Sequence, residues 1–125
     1  MNKTRKKEKT LILGASTNPN RYAFLALQSL KKHKLPVVGV GLKAAEIEGV
    51  QIYQEKKDFS DIDTITMYLG AKNQVDYYDY IIQLNPRRVI FNPGTENKEL
   101  ENLLEKNQIE AEIACTLVLL STKQY

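Results

Sequence analysis

The sequence predicts an α/β fold: a doubly wound, mostly parallel sheet of five or six strands flanked by helices. Three observations carry this. Short runs rich in valine and isoleucine, bounded by Gly, Pro or Asn, recur at residues 10–13, 37–40, 64–69, 88–91 and 109–113. Stretches with apolar residues at helical spacing lie between them. The two kinds alternate, and that order joins parallel strands through helical crossovers.

The first run opens "LILGASTNPNRYAF", residues 11–24. It stops at Gly14, passes a small-polar turn, and restarts as a helix near Asn20. Ala23, Ala26, Leu27 and Leu30 then form one helical face across residues 20–33. The second run ends in Gly41-Leu42-Lys43. After it, "EIEGVQIY" reads as a turn and a short edge strand, and "QEKKDFSD" as loop. The third run leads to a helix over residues 72–84, with Val75, Tyr78 and Ile82 on its apolar face. Pro86 stops that helix. The fourth run flows into "FNPGTEN", residues 91–97, where Thr95 or Asn97 caps a helix bearing Leu100, Leu103 and Leu104. After the fifth run, "CTLVLLSTKQY" reads as a closing helix or a last strand.

The chain has 125 residues, the size of one domain. Hydrophobic residues make 42% and charged residues 26%, a balance that builds a core with a solvated surface. Residues 1–9 hold five basic side chains against Glu8, a net +4, so the rest of the chain sums to −1. That divides the chain into a basic flexible tail, 1–9, and a single domain, 10–125. The nearly neutral domain carries no basic stripe with interleaved aromatics, so nucleic acid is not an expected partner. No stretch approaches the roughly 18 consecutive apolar residues of a membrane span. One cysteine excludes an internal disulfide framework and suits a reducing, cytoplasmic setting. One histidine and one cysteine are too few for a zinc site of usual composition, so no metal is expected.

The functional candidates lie where strands end. In an open parallel sheet, ligands bind beyond the carboxyl ends of the strands. Gly14, Ala15, Ser16 and Asn18 form such a turn, and Arg21 adds a guanidinium suited to phosphate. The orphan N–H groups of the following helix favour an anion there too. G-x-G-x-x-G and the Walker pattern are both absent, so a plain strand-to-helix connection remains the alternative. At the second strand end, the first charge is Lys43 rather than the acidic residue of an NAD site. A lysine there favours a phosphorylated ribose, which CoA (3′-phosphate) and NADP (2′-phosphate) both carry. Asn92, Pro93, Gly94 and Glu96 form a third strand-end cluster, and Cys115 follows the last run.

Taken together, "LILGAS", "NPNRY", "VGVGLK", "EIEGVQIYQ", "ITMYL", "RRVIFNPGTEN" and "ACTLVLLSTKQY" resemble the CoA-binding domain family. These are small Rossmann-like proteins related to the CoA-binding part of the succinyl-CoA synthetase alpha subunit. The resemblance spans nearly all of the chain after the tail. It implies a cytoplasmic module that binds CoA or an acyl-CoA through its diphosphate and 3′-phosphate. By that resemblance, residues 14–16 and Arg21, beside Tyr22, hold the diphosphate. Leu42, Lys43, Tyr68 and Leu69 enclose the adenosine. Asn92, Pro93, Gly94 and Glu96 close over the pantetheine arm. Relatives usually read Asn-Pro-Lys where this chain reads Gly41-Leu42-Lys43, with the lysine retained. Cys115 is then a candidate thiol partner for CoA through a mixed disulfide.

No complete catalytic constellation is legible. Ser16 has no base near it in sequence, and His33 sits at the far end of the first helix. Neither the phosphohistidine nor the further domains of a full CoA ligase are legible in these 125 residues, so a complete ligase is not expected. The expectation is therefore a non-catalytic binding or sensing module. The competing readings are an NADP-linked oxidoreductase-type protein and a redox-regulated interaction protein switched by nucleotide. A homodimer and a protein partner both remain open.

Overall fold

The structure, a computed structural model, describes residues 7–125. Most of the expected basic tail falls outside the described residues. Lys9 opens the first strand, and its ammonium pairs with Asp61 at 3.3 Å.

The sheet has seven strands: β1 (Lys9–Ala15), β2 (Val37–Gly41), β3 (Ala45–Ile47), β4 (Val50–Tyr53), β5 (Ile62–Met67), β6 (Arg88–Phe91) and β7 (Glu110–Ile113). Their order is β3-β4-β2-β1-β5-β6-β7, and every pairing is parallel except β3 with β4. The helices are α1 (Tyr22–Lys32), α2 (Ala71–Gln74), α3 (Tyr78–Leu84), α4 (Lys98–Lys106) and α5 (Thr116–Ser121). This is the expected Rossmann-like α/β architecture.

The sheet exceeds five or six strands because "EIEGVQIY" is a hairpin, not a turn and one strand. Its two central residues, Glu48 and Gly49, both have positive φ, +52° and +84°. That backbone suits the tight turns of two-residue hairpins, and only the glycine advertises it in sequence.

Successive residues of the central strands point to opposite faces. Leu11, Leu13, Ile65, Met67, Val89 and Phe91 pack with residues of α3 and α4, including Ile81, Leu100 and Leu104. On the other face, Ile12 and Ile52 pack with Leu27 and Leu30 of α1 and Leu120 of α5. So the closing segment is a helix, and the sheet is covered on both sides.

The stretch expected as one helix over residues 72–84 is broken. A 3₁₀ turn, Val75–Tyr77, separates α2 from α3. The tighter turn shifts the helical phase. Val75 is left exposed and Tyr78 and Ile82 half-buried, while Gln74, Tyr80, Ile81 and Leu84 face inward. α1 likewise starts at Tyr22, two residues later than expected, after residues 18–21 form their own turn.

Strand order reverses at β1. The chain leaves it for β2 on one side and returns at β5 on the other. That reversal opens a crevice outside the carboxyl ends of β1 and β5, the usual ligand position in such sheets.

Candidate functional site

A cleft of about 270 Å³ lies at this carboxyl edge. It is lined by Tyr22, Tyr68, Asn92, Pro93, Cys115 and Leu117. Four strand ends contribute. Tyr22 opens α1 after β1, Tyr68 follows β5, Asn92 and Pro93 follow β6, and Cys115 and Leu117 lie beyond β7. Leu117 was not among the sequence candidates, because its segment read equally well as strand or helix.

Gly14 is required by its surroundings. Its φ is +95°, and a Cβ there would lie 3.0 Å from the Tyr68 carbonyl carbon and 3.1 Å from the Leu69 side chain. Leu69 is thus packed on Gly14 and the core rather than facing the cleft. Ala15 is buried beside Gly41, where a Cβ would collide with the Ala15 carbonyl oxygen. Two glycines therefore allow the ends of β1, β2 and β5 to approach closely.

Beyond Ala15 the turn is exposed and bonds to itself. Ser16 Oγ accepts the Asn18 N–H at 3.0 Å, and Asn18 Oδ1 accepts the Asn20 N–H at 3.0 Å. Arg21 occupies the N-cap position of α1 in extended conformation and makes no side-chain cap. Its exposed guanidinium has no ion pair among the described residues. Leu42 and Lys43 are exposed in the turn between β2 and β3, outside the cleft lining.

The opposite wall is locked. Asn92 is 2% exposed and all its side-chain bonds are internal. Its Nδ2 donates to Thr66 Oγ1 at 2.7 Å and to the Met67 carbonyl at 2.8 Å. Its Oδ1 accepts the Thr116 N–H at 2.8 Å. Asn92 ties β5, β6 and the start of α5 together, and only its outer surface borders the cleft. Thr66 and Thr116 hydroxyls complete the network at 2.7 Å. Burial pushes the Tyr68 hydroxyl up to about 12. The nearby Thr66 and Thr116 hydroxyls pull it partly back, and the neighbouring Cys115 adds to the rise.

The rest of "NPGTEN" builds the loop. Gly94 has φ +90°, and its N–H donates to Glu96 Oε1 at 2.9 Å. Thr95 N–H and hydroxyl both bond the Asn92 carbonyl. Asn97, rather than Thr95, caps α4, accepting the Leu100 N–H at 3.2 Å. Gly94 and Glu96 are exposed and do not line the cleft.

The sequence candidates thus divide. Tyr22, Tyr68, Asn92, Pro93 and Cys115 come together around one cleft. Gly14, Ala15 and Leu69 shape its base, and Ser16, Asn18 and Arg21 form an open turn beside it. Leu42, Lys43, Gly94 and Glu96 stand farther out on the same edge.

This fold and its carboxyl-edge cleft define a Rossmann-like α/β protein. A family model described as "CoA binding domain" matches residues 8–121, and the chain belongs to that family. A solved crystal structure of an uncharacterized protein is 48% identical, with a TM-score of 0.91. That match covers 97% of this chain and 100% of the other. A conserved hypothetical protein from Pyrococcus furiosus is 27% identical, with a TM-score of 0.78 over 89% of this chain and 97% of that one. The dinucleotide forming acetyl-coenzyme A synthetase 1 of Ca. Korarchaeum cryptofilum shares the fold at 16% identity and a TM-score of 0.70. Here the match covers 89% of this chain but 26% of the synthetase. No curated protein sequence matches. Among the described residues, no helix is long and apolar enough to cross a membrane.

Proposed function

We propose that this protein binds coenzyme A or an acyl-CoA as a non-catalytic binding or sensing module of the cytoplasm. The observation that carries this is the cleft itself. In a chain of the CoA binding domain family, it joins the β1–α1 turn to "NPGTEN" at the switch point of the sheet.

The residues suit the ligand's parts. A cleft of about 270 Å³ falls just below the ~300–1,000 Å³ of typical small-molecule pockets. It therefore takes one arm of CoA, not the whole molecule. Its lining is mostly apolar and aromatic, which suits the pantetheine arm. The open turn at Ser16–Asn18 and Arg21, which has no ion pair among the described residues, suit the diphosphate at a helix start. Lys43 supplies a cation for the 3′-phosphate, and CoA supplies a thiol that carries acyl groups.

Cys115 lines the cleft and is half-buried. In our reading it exchanges with a CoA disulfide: its thiolate attacks one sulfur, forms Cys115–S–S–CoA, and releases the other half as thiolate. An unchanged intact mass after treatment with oxidised CoA would overturn that step while leaving non-covalent binding intact.

The direct experiment is calorimetric titration with CoA, dephospho-CoA and NADP. The reading expects CoA to bind and loss of the 3′-phosphate to weaken it. Silence toward CoA by folded, ligand-free protein would overturn it, and preference for NADP would favour the oxidoreductase-type alternative.

A further inference from the structure

We propose that Gln74 is a positioning residue that couples the two loops flanking the cleft, so that a ligand held by one also orders the other. This rests on the reading above for its ligand, but not for its geometry.

Gln74 is fully buried at the end of α2, and both N–H donors and the carbonyl oxygen of its amide are engaged. Nε2 donates to the Leu69 carbonyl at 2.8 Å and to the Thr95 carbonyl at 2.8 Å. Oε1 accepts from Asn97 Nδ2 at 2.9 Å. Asn97 in turn caps α4 through its own Oδ1. One side chain thereby bridges the loop after β5 and the loop after β6.

Each bridged loop touches the site. Leu69 follows the cleft residue Tyr68 and packs against Gly14, at the base of the β1–α1 turn. Thr95 lies two residues past the cleft residue Pro93, and both its N–H and its hydroxyl bond the Asn92 carbonyl. A continuous path of packed and hydrogen-bonded groups runs from the Gly14 turn through Leu69 and Gln74 to "NPGTEN" and α4. Discrete bonded networks of this kind carry coupling between sites. A glutamine between two backbone carbonyls is demanding: only a side chain with two N–H donors and one acceptor satisfies all three partners.

The test uses the full chain. Gln74→Met keeps the shape and removes all three bonds. Gln74→Glu keeps the acceptor for Asn97 and removes both donors. Leu84→Ala, in the core at the far end of α3, is the control for general destabilisation. In ligand-free protein, Gln74→Met speeds hydrogen exchange at the Tyr68, Thr95 and Leu100 amides together, and Leu84→Ala does not. Gln74→Glu speeds Tyr68 and Thr95 but spares Leu100. Exchange that rises on only one loop in Gln74→Met overturns the coupling. On titration, both Gln74 variants bind CoA about tenfold more weakly than the parent, within the usual range of coupling between sites. Leu84→Ala binds as the parent does. Unchanged affinity in folded Gln74→Met also overturns the proposal. If the parent protein ignores CoA, the function proposed above fails, and the exchange experiment alone decides the role of Gln74.

Discussion

Two asparagines at the same sheet edge live under opposite conditions. Asn18, in the β1–α1 turn, is exposed and accepts one bond from Asn20, two residues away. Asn92, after β6, is buried and joins three segments that are distant in sequence. The first half of the edge is an open turn held by local bonds, with the exposed Arg21 guanidinium beside it. The second is a wall fixed by buried amides. The contrast separates two tasks: the open half presents charge to solvent, and the locked half holds the shape of a cleft.

The sharpest way to break this comparison is to remove both amides. Asn92→Leu leaves the Met67 carbonyl and the Thr116 N–H without their partner inside the protein. Unsatisfied buried groups cost about 1–3 kcal/mol each, so we expect a loss of about 3 kcal/mol in urea unfolding. Asn18→Ala removes one exposed local bond and should cost less than about 0.5 kcal/mol. Equal losses would mean that the two halves are not built differently.

A smaller effect is expected from charge on the open half. Arg21 makes no cap bond, so Arg21→Ala should leave urea unfolding unchanged. Under the proposed function it should weaken CoA binding by about 10- to 150-fold, since a charge-assisted bond contributes about 1.5–3 kcal/mol. Raising the salt concentration should narrow the gap between parent and variant, because an exposed cation is screened. Calorimetry at two salt concentrations checks both statements. A variant that loses stability instead would place Arg21 among the structural residues.

The same division explains what the sequence made legible. Alternating periodicity showed the architecture, and strand ends marked by Gly14, Asn92 and Cys115 located the edge. Local chemistry was readable in part: the glycine of a tight turn, a cap of α4 at Thr95 or Asn97, the proline after α3. Gln74 was not readable, because its partners lie 5, 21 and 23 residues away and a polar residue in a helical stretch reads as surface. Asn92 was correctly placed at the edge, but its side chain bonds Thr66, Met67 and Thr116, and no local pattern encodes that. The helix expected over residues 72–84 was misphased for a related reason: buried Gln74 occupies an inward position that an apolar count assigns to Val75.

The locked half should also reveal itself at alkaline pH. The Tyr68 hydroxyl is held up to about 12 by burial, above its ordinary value of 10.0. Between those two values the unfolded chain has lost that proton and the folded chain still holds it. The contribution is therefore complete below pH 10 and disappears as pH rises toward 12. Tyr80 and Tyr125 are raised as well, with burial the largest cause in both. Tyr68→Phe should therefore flatten, but not abolish, the fall in unfolding free energy between pH 10 and 12. Asn18→Ala should leave that fall unchanged. Urea titrations across this window would give the slopes directly. An unaltered slope in Tyr68→Phe would show that Tyr68 ionises as freely as a surface tyrosine, and that the wall beside Cys115 is as open to water as the turn across from it.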